Sequence, residues 1–90
     1  MISYAEAVEI FTAQEKPKWD YPGQFYVAPD GYQNDEFYLL PYGPKEYVEM
    51  DDTTYEIADL PAALVNKRTG EVSFITVLDN LEFIDAFEPI

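Results

Sequence analysis

The sequence predicts an α+β fold, a mostly antiparallel sheet of about four strands with an N-terminal helix and a short C-terminal helix packed on it. Two capping-box patterns, Ser3–Glu6 and Asp79–Glu82, enclose the strand signals. The segments between them are rich in aromatic and β-branched residues, which favour strands. Because 90 residues leave room for one core only, we expect a single domain over residues 1–90.

The first helix is predicted over residues 3–15. Ser3 and Glu6 can each satisfy the other's backbone N–H group, as a capping box requires. Pro17 ends the helix, because the residue before a proline avoids the helical region. Apolar residues at helical spacing form one face: Tyr4, Ala7, Val8 and Phe11.

Four strands are predicted, over residues 24–28, 36–42, 61–66 and 71–77. The second strand is apolar on both faces, which favours a central position in the sheet. Its faces are Phe37, Leu39 and Pro41 on one side and Tyr38, Leu40 and Tyr42 on the other. A turn at Pro29–Gly31 separates the first two strands. A hairpin loop joins the last two, with Gly70 at a left-handed position.

Two regions are less regular in pattern. Within residues 44–60, Pro44 could open a short helix, Tyr47–Met50 could lie in a strand, and residues 49–54 are typical of a mobile acidic loop. Near the C-terminus, Asp79 is the predicted N-cap of a short helix that Pro89 ends. The face of that helix consists of Leu81, Ile84 and Phe87.

Composition excludes several classes of function. The chain has no cysteine and no histidine, so it cannot build a Ser-His-Asp or Cys-His nucleophile or a thiolate zinc site. The acidic groups at Asp51–Asp52 and Asp30–Glu36 lack the spacing of an EF-hand loop. We therefore expect no catalytic activity, no cofactor and no bound metal. A carboxylate-based enzyme is the least favoured alternative.

The charge balance has two explanations, solubility of the chain or attraction of a basic protein partner. Eighteen acidic and five basic residues give a net charge of −13, which repels nucleic-acid phosphates and attracts basic proteins. No run approaches the roughly 18 apolar residues of a membrane span, and the N-terminus lacks the pattern of a signal peptide. We expect a cytoplasmic protein, a monomer or small homo-oligomer, without direct nucleic-acid or membrane contact.

The candidate partner-binding surface lies within residues 46–59, which carry six acidic residues and no basic one. Tyrosine beside a carboxylate offers arginine or lysine a stacking face and charge-assisted hydrogen bonds. The candidate residues are Tyr47, Glu49, Asp51, Asp52, Tyr55 and Glu56, with Trp19 and Tyr21 as the next place to look. The alternatives are an inert solvated loop at 46–59 and a Trp19 that only covers the core or a sheet edge.

The run Leu60–Val72, LPAALVNKRTGEV, resembles the YrhB-like immunity domains of bacterial polymorphic toxin systems. That family is similar in its N-terminal helix, aromatic strand and Lys-Thr-Gly-Glu-like hairpin, here Val65–Val72 with Arg68 inserted before Thr69. The family's tryptophan lies within a strand, whereas Trp19 precedes the predicted strand. The resemblance implies an immunity or antitoxin-like protein that neutralises a basic toxin domain.

A DNA mimic is the alternative function. In such a protein, for example a phage-encoded one, carboxylates imitate phosphates and occupy a DNA-binding protein. This function requires acidic residues spaced along an elongated face, which the sequence alone does not show.

Overall fold

The computed structural model describes all 90 residues and confirms the α+β class. The helices are α1 (Tyr4–Glu15), α2 (Lys45–Val48) and α3 (Leu81–Asp85). The strands are β1 (Phe25–Val27), β2 (Tyr32–Gln33), β3 (Phe37–Leu40), β4 (Tyr42–Pro44), β5 (Ala62–Asn66), β6 (Val72–Ile75) and β7 (Glu88–Pro89). Single 3₁₀ turns lie at Lys16–Lys18, Thr53–Tyr55 and Leu78–Asn80. β1 and β4 form a small antiparallel sheet, and the other strands form a second one in the order β6-β5-β3-β2-β7.

α1 begins at the predicted capping box. The Ser3 hydroxyl accepts a hydrogen bond from the Glu6 N–H at 3.1 Å, and the Glu6 carboxylate accepts one from the Ser3 N–H at 3.0 Å. The backbone N–H groups of Ser3 and Glu6 are thus both satisfied by side chains. The predicted helix is confirmed, but the reason given for its end is wrong. Lys16, before Pro17, keeps helical backbone angles (φ −57°, ψ −42°), and the chain continues from α1 into the 3₁₀ turn that contains Pro17.

The main core lies between α1 and the five-stranded sheet. Ala7 and Phe11 of α1 are fully buried against Leu40 of β3 and Ala63 and Val65 of β5. Removing a side chain the size of Phe11 from water contributes roughly 2–3 kcal/mol. Helix and sheet therefore stabilise each other through one shared apolar surface.

Three tyrosines close the edges of this core. The hydroxyls of Tyr4, Tyr38 and Tyr42 each donate to a distant backbone carbonyl at 2.9 Å, on Ala28, Ile2 and Pro61 respectively. A tyrosine can bury its ring and still satisfy its hydroxyl in this way. Burial, with a smaller contribution from the charge of Asp30, raises the pKa of Tyr4 from 10.0 to about 12.

β3 occupies the centre of the sheet, as its two apolar faces predict. Tyr38 and Leu40 face α1, where the rings of Tyr38 and Tyr4 meet edge to face at 5.7 Å. On the opposite face, the Phe37 ring lies 6.4 Å from the ring of Phe83 in α3. The two helices therefore cover opposite faces of the same strand.

The pairing of the first strands differs from the prediction. β1 does not pair with β3 but with β4, in the register Phe25 to Pro44 and Val27 to Tyr42. The predicted strand 36–42 is interrupted at Pro41, which has no N–H to offer a ladder, and its two parts join different sheets. One predicted sheet is thereby replaced by two.

β3 has β5 on one side and β2 on the other. The sequence pattern did not predict β2. A turn centred on Asn34 connects β2 and β3. Its side-chain oxygen accepts hydrogen bonds from the N–H groups of Glu36 at 2.9 Å and Phe37 at 2.7 Å. This is the local bonding through which asparagine stabilises turns.

The hairpin between β5 and β6 is confirmed. Gly70 has a φ of +74°, and its N–H donates to the Asn66 carbonyl at 2.9 Å. The Asn66 side chain accepts hydrogen bonds from the N–H groups of Arg68 at 2.8 Å and Thr69 at 3.1 Å. A left-handed residue in this loop closes the hairpin, as glycine does most easily.

The C-terminal helix exists, but its predicted cap is wrong. The Asp79 carboxylate accepts from the Thr76 hydroxyl at 3.0 Å and caps no helix, while the residue before α3, Asn80, donates its side chain to the Thr76 carbonyl at 2.7 Å. Pro89 does not end this helix either. It lies in β7, paired with Tyr32, and α3 has already ended at Asp85.

Candidate partner-binding surface

Trp19 lies where the connector after α1 turns toward β1. Its ring contacts Phe25 edge to face at 5.4 Å, and the Phe25 ring lies 5.8 Å from Phe11 in the core. Its indole N–H donates to the Gly23 carbonyl at 3.1 Å, and its ring centre is 5.0 Å from that of the exposed Tyr21. Trp19 therefore covers the end of the core and is held in a fixed orientation.

Gly23 joins this connector to the acidic segment. Its φ is +92°, and a Cβ there would lie 2.7 Å from the Glu46 carboxylate, 2.8 Å from the Pro44 side chain and 3.0 Å from the Tyr55 ring. Only glycine permits so close an approach. The structure thus brings Tyr55 next to the loop that carries Trp19, and the two parts of the sequence-predicted surface become neighbours.

Glu46 holds the junction together. Its carboxylate accepts from the Gln24 N–H at 3.1 Å, and the Lys45 N–H donates to the Gln24 carbonyl at 2.7 Å. Glu46 was counted among the acids of the segment but was absent from the predicted site. Its hydrogen bond spans 22 residues, so no local pattern could have identified it.

Of the alternatives that the sequence left open for residues 44–60, the short helix after Pro44 is the one that forms, as α2, and a 3₁₀ turn follows at Thr53–Tyr55. The strand considered for Tyr47–Met50 is wrong. After α2, Asp51 adopts a left-handed φ of +55°, and its N–H donates to the Tyr47 carbonyl at 3.1 Å. Asp52 then caps the next turn by accepting from the Thr54 N–H at 3.1 Å and from the Thr54 hydroxyl at 2.6 Å. These bonds give the two aspartates defined positions on the surface.

The charge of this segment is largely uncompensated. Glu49, Asp51, Asp52 and Glu56 are exposed, while Tyr47 and Tyr55 are half-buried. One cation is close, since the Lys45 amine lies 3.8 Å from the Glu49 carboxylate. Desolvation, followed by the negative charges of Glu49 and Asp30, raises the pKa of the neighbouring Tyr26.

An aromatic groove on the other side of Trp19 was not predicted. We define it by the rings of Trp19, Tyr21, Phe25, Tyr42 and Phe74, together with Glu15, Lys18, Leu60 and Pro61; it encloses about 230 Å³. These residues come from α1, the connector, β1, β4 and β6 and from the chain before β5. Only the folding of the two sheets against α1 brings them together.

Glu15 is the acidic residue of this groove. Its side chain is 18% exposed, and its carboxylate lies 3.5 Å from the amine of Lys18, which is 68% exposed. Desolvation raises the pKa of Tyr42, and repulsion of the Tyr42 phenolate by an ionised Tyr21 and by the Glu15 carboxylate raises it further. The groove thus combines apolar rings with a partly buried negative charge.

No group of three or more acidic side chains is placed to hold a metal ion. None of the helices has the length and apolar character needed to cross a membrane. Comparison with protein-family models, curated proteins and solved structures finds no match to the chain. The resemblance of Val65–Val72 to the immunity domains therefore stays a prediction.

Proposed function

We propose that this chain is an acidic protein-binding module that neutralises a basic partner by stoichiometric binding, as an immunity or antitoxin-like inhibitor does. One observation supports the proposal above the others. Of the 18 acidic residues, 16 are exposed and only two form an ion pair. The surface therefore keeps nearly all of its negative charge for interaction with something outside the chain.

Charge of this size acts first on the rate of association. An uncompensated field steers an oppositely charged protein toward the surface and can raise the association rate constant by factors of about 10 to 1,000. The effect weakens with salt, because the Debye length falls from about 30 Å at 0.01 M to about 8 Å at 0.15 M. Electrostatic steering alone fixes neither the orientation in which the partner docks nor a slow dissociation rate.

The aromatic residues beside the acidic segment can supply both. Tyr55 packs against Gly23, and the same loop carries the stacked pair Trp19 and Tyr21. Large amphipathic rings on a fixed backbone contribute contact area at a small entropic cost and dominate interface energetics. The proposed surface is therefore the acidic segment around Asp51 and Asp52 together with these rings.

The proposal places the protein in the cytoplasm of a bacterial or phage-infected cell, as a monomer or small homo-oligomer without catalytic activity. Its partner is a basic toxin domain. The DNA-mimic interpretation shares the basic partner but adds that DNA and this chain compete for one site. Identifying the partner, and testing whether DNA competes with this chain for it, distinguishes the inhibitor from the DNA mimic.

The test starts with a partner captured from the native host and purified. Surface plasmon resonance at 10 and 150 mM salt then compares the native chain with the variant Asp51→Lys/Asp52→Lys. We expect an association rate at least tenfold slower for the variant at low salt and a much smaller difference at high salt. Calorimetry should give a fixed, stoichiometric ratio.

A matched control is available at Asp35 and Glu36, an adjacent exposed acidic pair in the turn between β2 and β3. Reversing both of these charges changes the net charge by the same amount at a different place. Equal effects of the two double variants would contradict the assigned surface, and salt-independent association would contradict the proposed function. Displacement of the chain by duplex DNA would replace the inhibitor proposal by the DNA mimic.

A further inference from the structure

Strand β6 leaves one side of its backbone unpaired next to the aromatic groove. It is an outer strand of the five-stranded sheet and pairs only with β5. The ring of Phe74, at the centre of β6, lies 6.0 Å from that of Phe11 and 6.3 Å from that of Tyr42, yet the residue is 40% exposed. Phe74 therefore belongs both to the unpaired edge of the sheet and to the accessible side of the aromatic groove.

The register identifies the free backbone groups. The Asn66 N–H donates to the Glu71 carbonyl at 2.9 Å, and Leu64 stands opposite Ser73. In an antiparallel ladder hydrogen-bonded pairs alternate, so Ser73 and Ile75 direct their N–H and C=O groups toward β5. Val72 and Phe74 direct theirs away from the sheet. An edge of this kind is a template for a further strand.

The groove beside this edge has the chemistry to hold a cationic side chain. Trp19 and the other rings present faces that attract a guanidinium, and the Glu15 carboxylate is 18% exposed among them. A guanidinium suits the site better than an ammonium, because it is planar, stacks on rings and is more weakly hydrated. The Glu15 carboxylate already accepts a hydrogen bond from the Gln14 side-chain amide at 2.8 Å and lies 3.5 Å from the Lys18 amine. Because the Lys18 side chain is 68% exposed, a guest guanidinium would compete with a solvated, weakly bound cation.

We propose that an extended segment of the basic partner adds to β6 as a strand and places an arginine side chain in the aromatic groove. The residue paired opposite Phe74 points to the same face of the sheet as Phe74, with the two Cβ atoms about 5 Å apart. From there an arginine reaches across the Phe74 ring toward Trp19 and Glu15. The inference rests on the proposed function and specifies how that partner is recognised.

Charge decides against a second copy of this chain as the occupant. Two copies paired through β6 would bring together two molecules that each carry a net charge of −13, with Glu71 at the start of each edge. An arginine-bearing strand instead brings positive charge to a chain that has 18 acidic residues and only five basic ones, one of which, Lys18, lies in the groove. In this arrangement the backbone hydrogen bonds to β6 supply affinity, and the aromatic groove supplies the preference for an arginine side chain.

The experiment uses the full chain, labelled with ¹⁵N, and a synthetic peptide of alternating arginine and threonine. Amide hydrogen exchange is recorded by NMR with and without the peptide. We expect the Val72 and Phe74 amides to gain protection, while those of Ser73 and Ile75 are protected already in the free protein. A peptide with glutamate in place of arginine should cause no change.

Variants then test the groove. Trp19→Ala should weaken peptide binding about tenfold, the value expected for loss of a desolvated cation–π contact. Glu15→Gln should weaken it about fivefold through loss of a charge-assisted hydrogen bond. Glu9→Gln removes the same charge from an exposed position of α1 and should change binding by less than about twofold, since distant charges are screened.

Three outcomes overturn the inference. The first is peptide binding without new protection at Val72 and Phe74, and the second is equal loss of affinity in Glu9→Gln and Glu15→Gln. The third is protection that rises with protein concentration alone, which would show a second copy on the edge. If the purified basic partner still binds in a salt-dependent way, any of these leaves the proposed function standing. Failure of both peptide and partner to bind rejects the two together.

Discussion

The α1 face of the five-stranded sheet is covered by a helix of 12 residues, whereas the opposite face is covered by α3, a helix of five. α1 buries Ala7 and Phe11 completely and begins at a side-chain cap. α3 has no side-chain cap and no buried residue, and the neighbouring Leu78 is 85% exposed. The two faces therefore differ in how tightly they are closed, although both carry apolar strand residues.

The difference shows what makes a capping pattern effective. The sequence has a similar four-residue signal at Ser3–Glu6 and Asp79–Glu82, but only the first forms a cap. Three turns of α1 are packed against β3 and β5, and this tertiary contact stabilises the helix that the cap begins. At the second position the Asp79 carboxylate accepts from the Thr76 hydroxyl, and α3 has no side-chain cap.

The largest expected effect compares one phenylalanine from each face. Phe11→Ala should lower the free energy of unfolding by about 3–5 kcal/mol, because it leaves a cavity in a closed core. Phe83→Ala, at a residue that is 39% exposed, should cost about 1 kcal/mol or less. Urea denaturation followed by circular dichroism measures both.

Phe11→Leu provides a milder variant if Phe11→Ala does not fold, with an expected loss of about 1.5 kcal/mol. Equal losses for Phe11→Ala and Phe83→Ala would break the contrast between the faces.

The second prediction concerns the hairpin that borders α1. Gly70→Val should destabilise the protein by about 1–2 kcal/mol, because a side chain at φ +74° is strained and its Cβ would lie 3.1 Å from the Ile10 side chain. Gly70→Asn is the matched control, since asparagine tolerates left-handed backbone better than valine. Thermal unfolding of the two variants should rank asparagine above valine, and the reverse order would refute the argument from backbone strain.

The third prediction compares the two capping patterns directly. Ser3→Ala should cost about 1 kcal/mol, since it leaves the Glu6 N–H without its side-chain partner. Asp79→Ala should cost less than about 0.5 kcal/mol, because it removes one exposed hydrogen bond and no cap. A loss at Asp79 as large as that at Ser3 would mean that both patterns stabilise their helices.

The last prediction is a dependence on pH that tests the same contrast. The folded state raises the pKa of Tyr4 from 10.0 to about 12, so the neutral phenol favours folding. This contribution is complete below pH 10 and is lost as the pH rises through about 12. Tyr4→Phe should therefore make the decline in unfolding free energy over that range shallower.

Tyr32→Phe is the control for this measurement, because Tyr32 is exposed and is not among the residues that pack on the core beneath α1. The variant should keep the native slope between pH 10 and 12. Some slope should also remain in Tyr4→Phe, since burial raises the pKa of Tyr42 in the same direction. Identical slopes in all three proteins would contradict a role for Tyr4.

The candidate site could be predicted only in part. An acidic, tyrosine-rich segment is visible in composition, and Trp19 stands out as the single tryptophan. The contact between Gly23 and Tyr55, the bond from Glu46 to Gln24 and the groove around Phe74 join residues far apart in the chain. No spacing within one segment carries that information.

The sequence by itself determined the elements whose signals are local: the capped helix α1, the central position of β3, the β5–β6 hairpin and the left-handed Gly70. Each follows from a period, a cap or a backbone angle within a few residues. Only the tertiary structure decided that β1 joins β4 and that β2 and β7 extend the main sheet. Strands of two or three residues are too short to show a period, so their pairing depends on which backbone groups the rest of the fold brings within hydrogen-bonding distance.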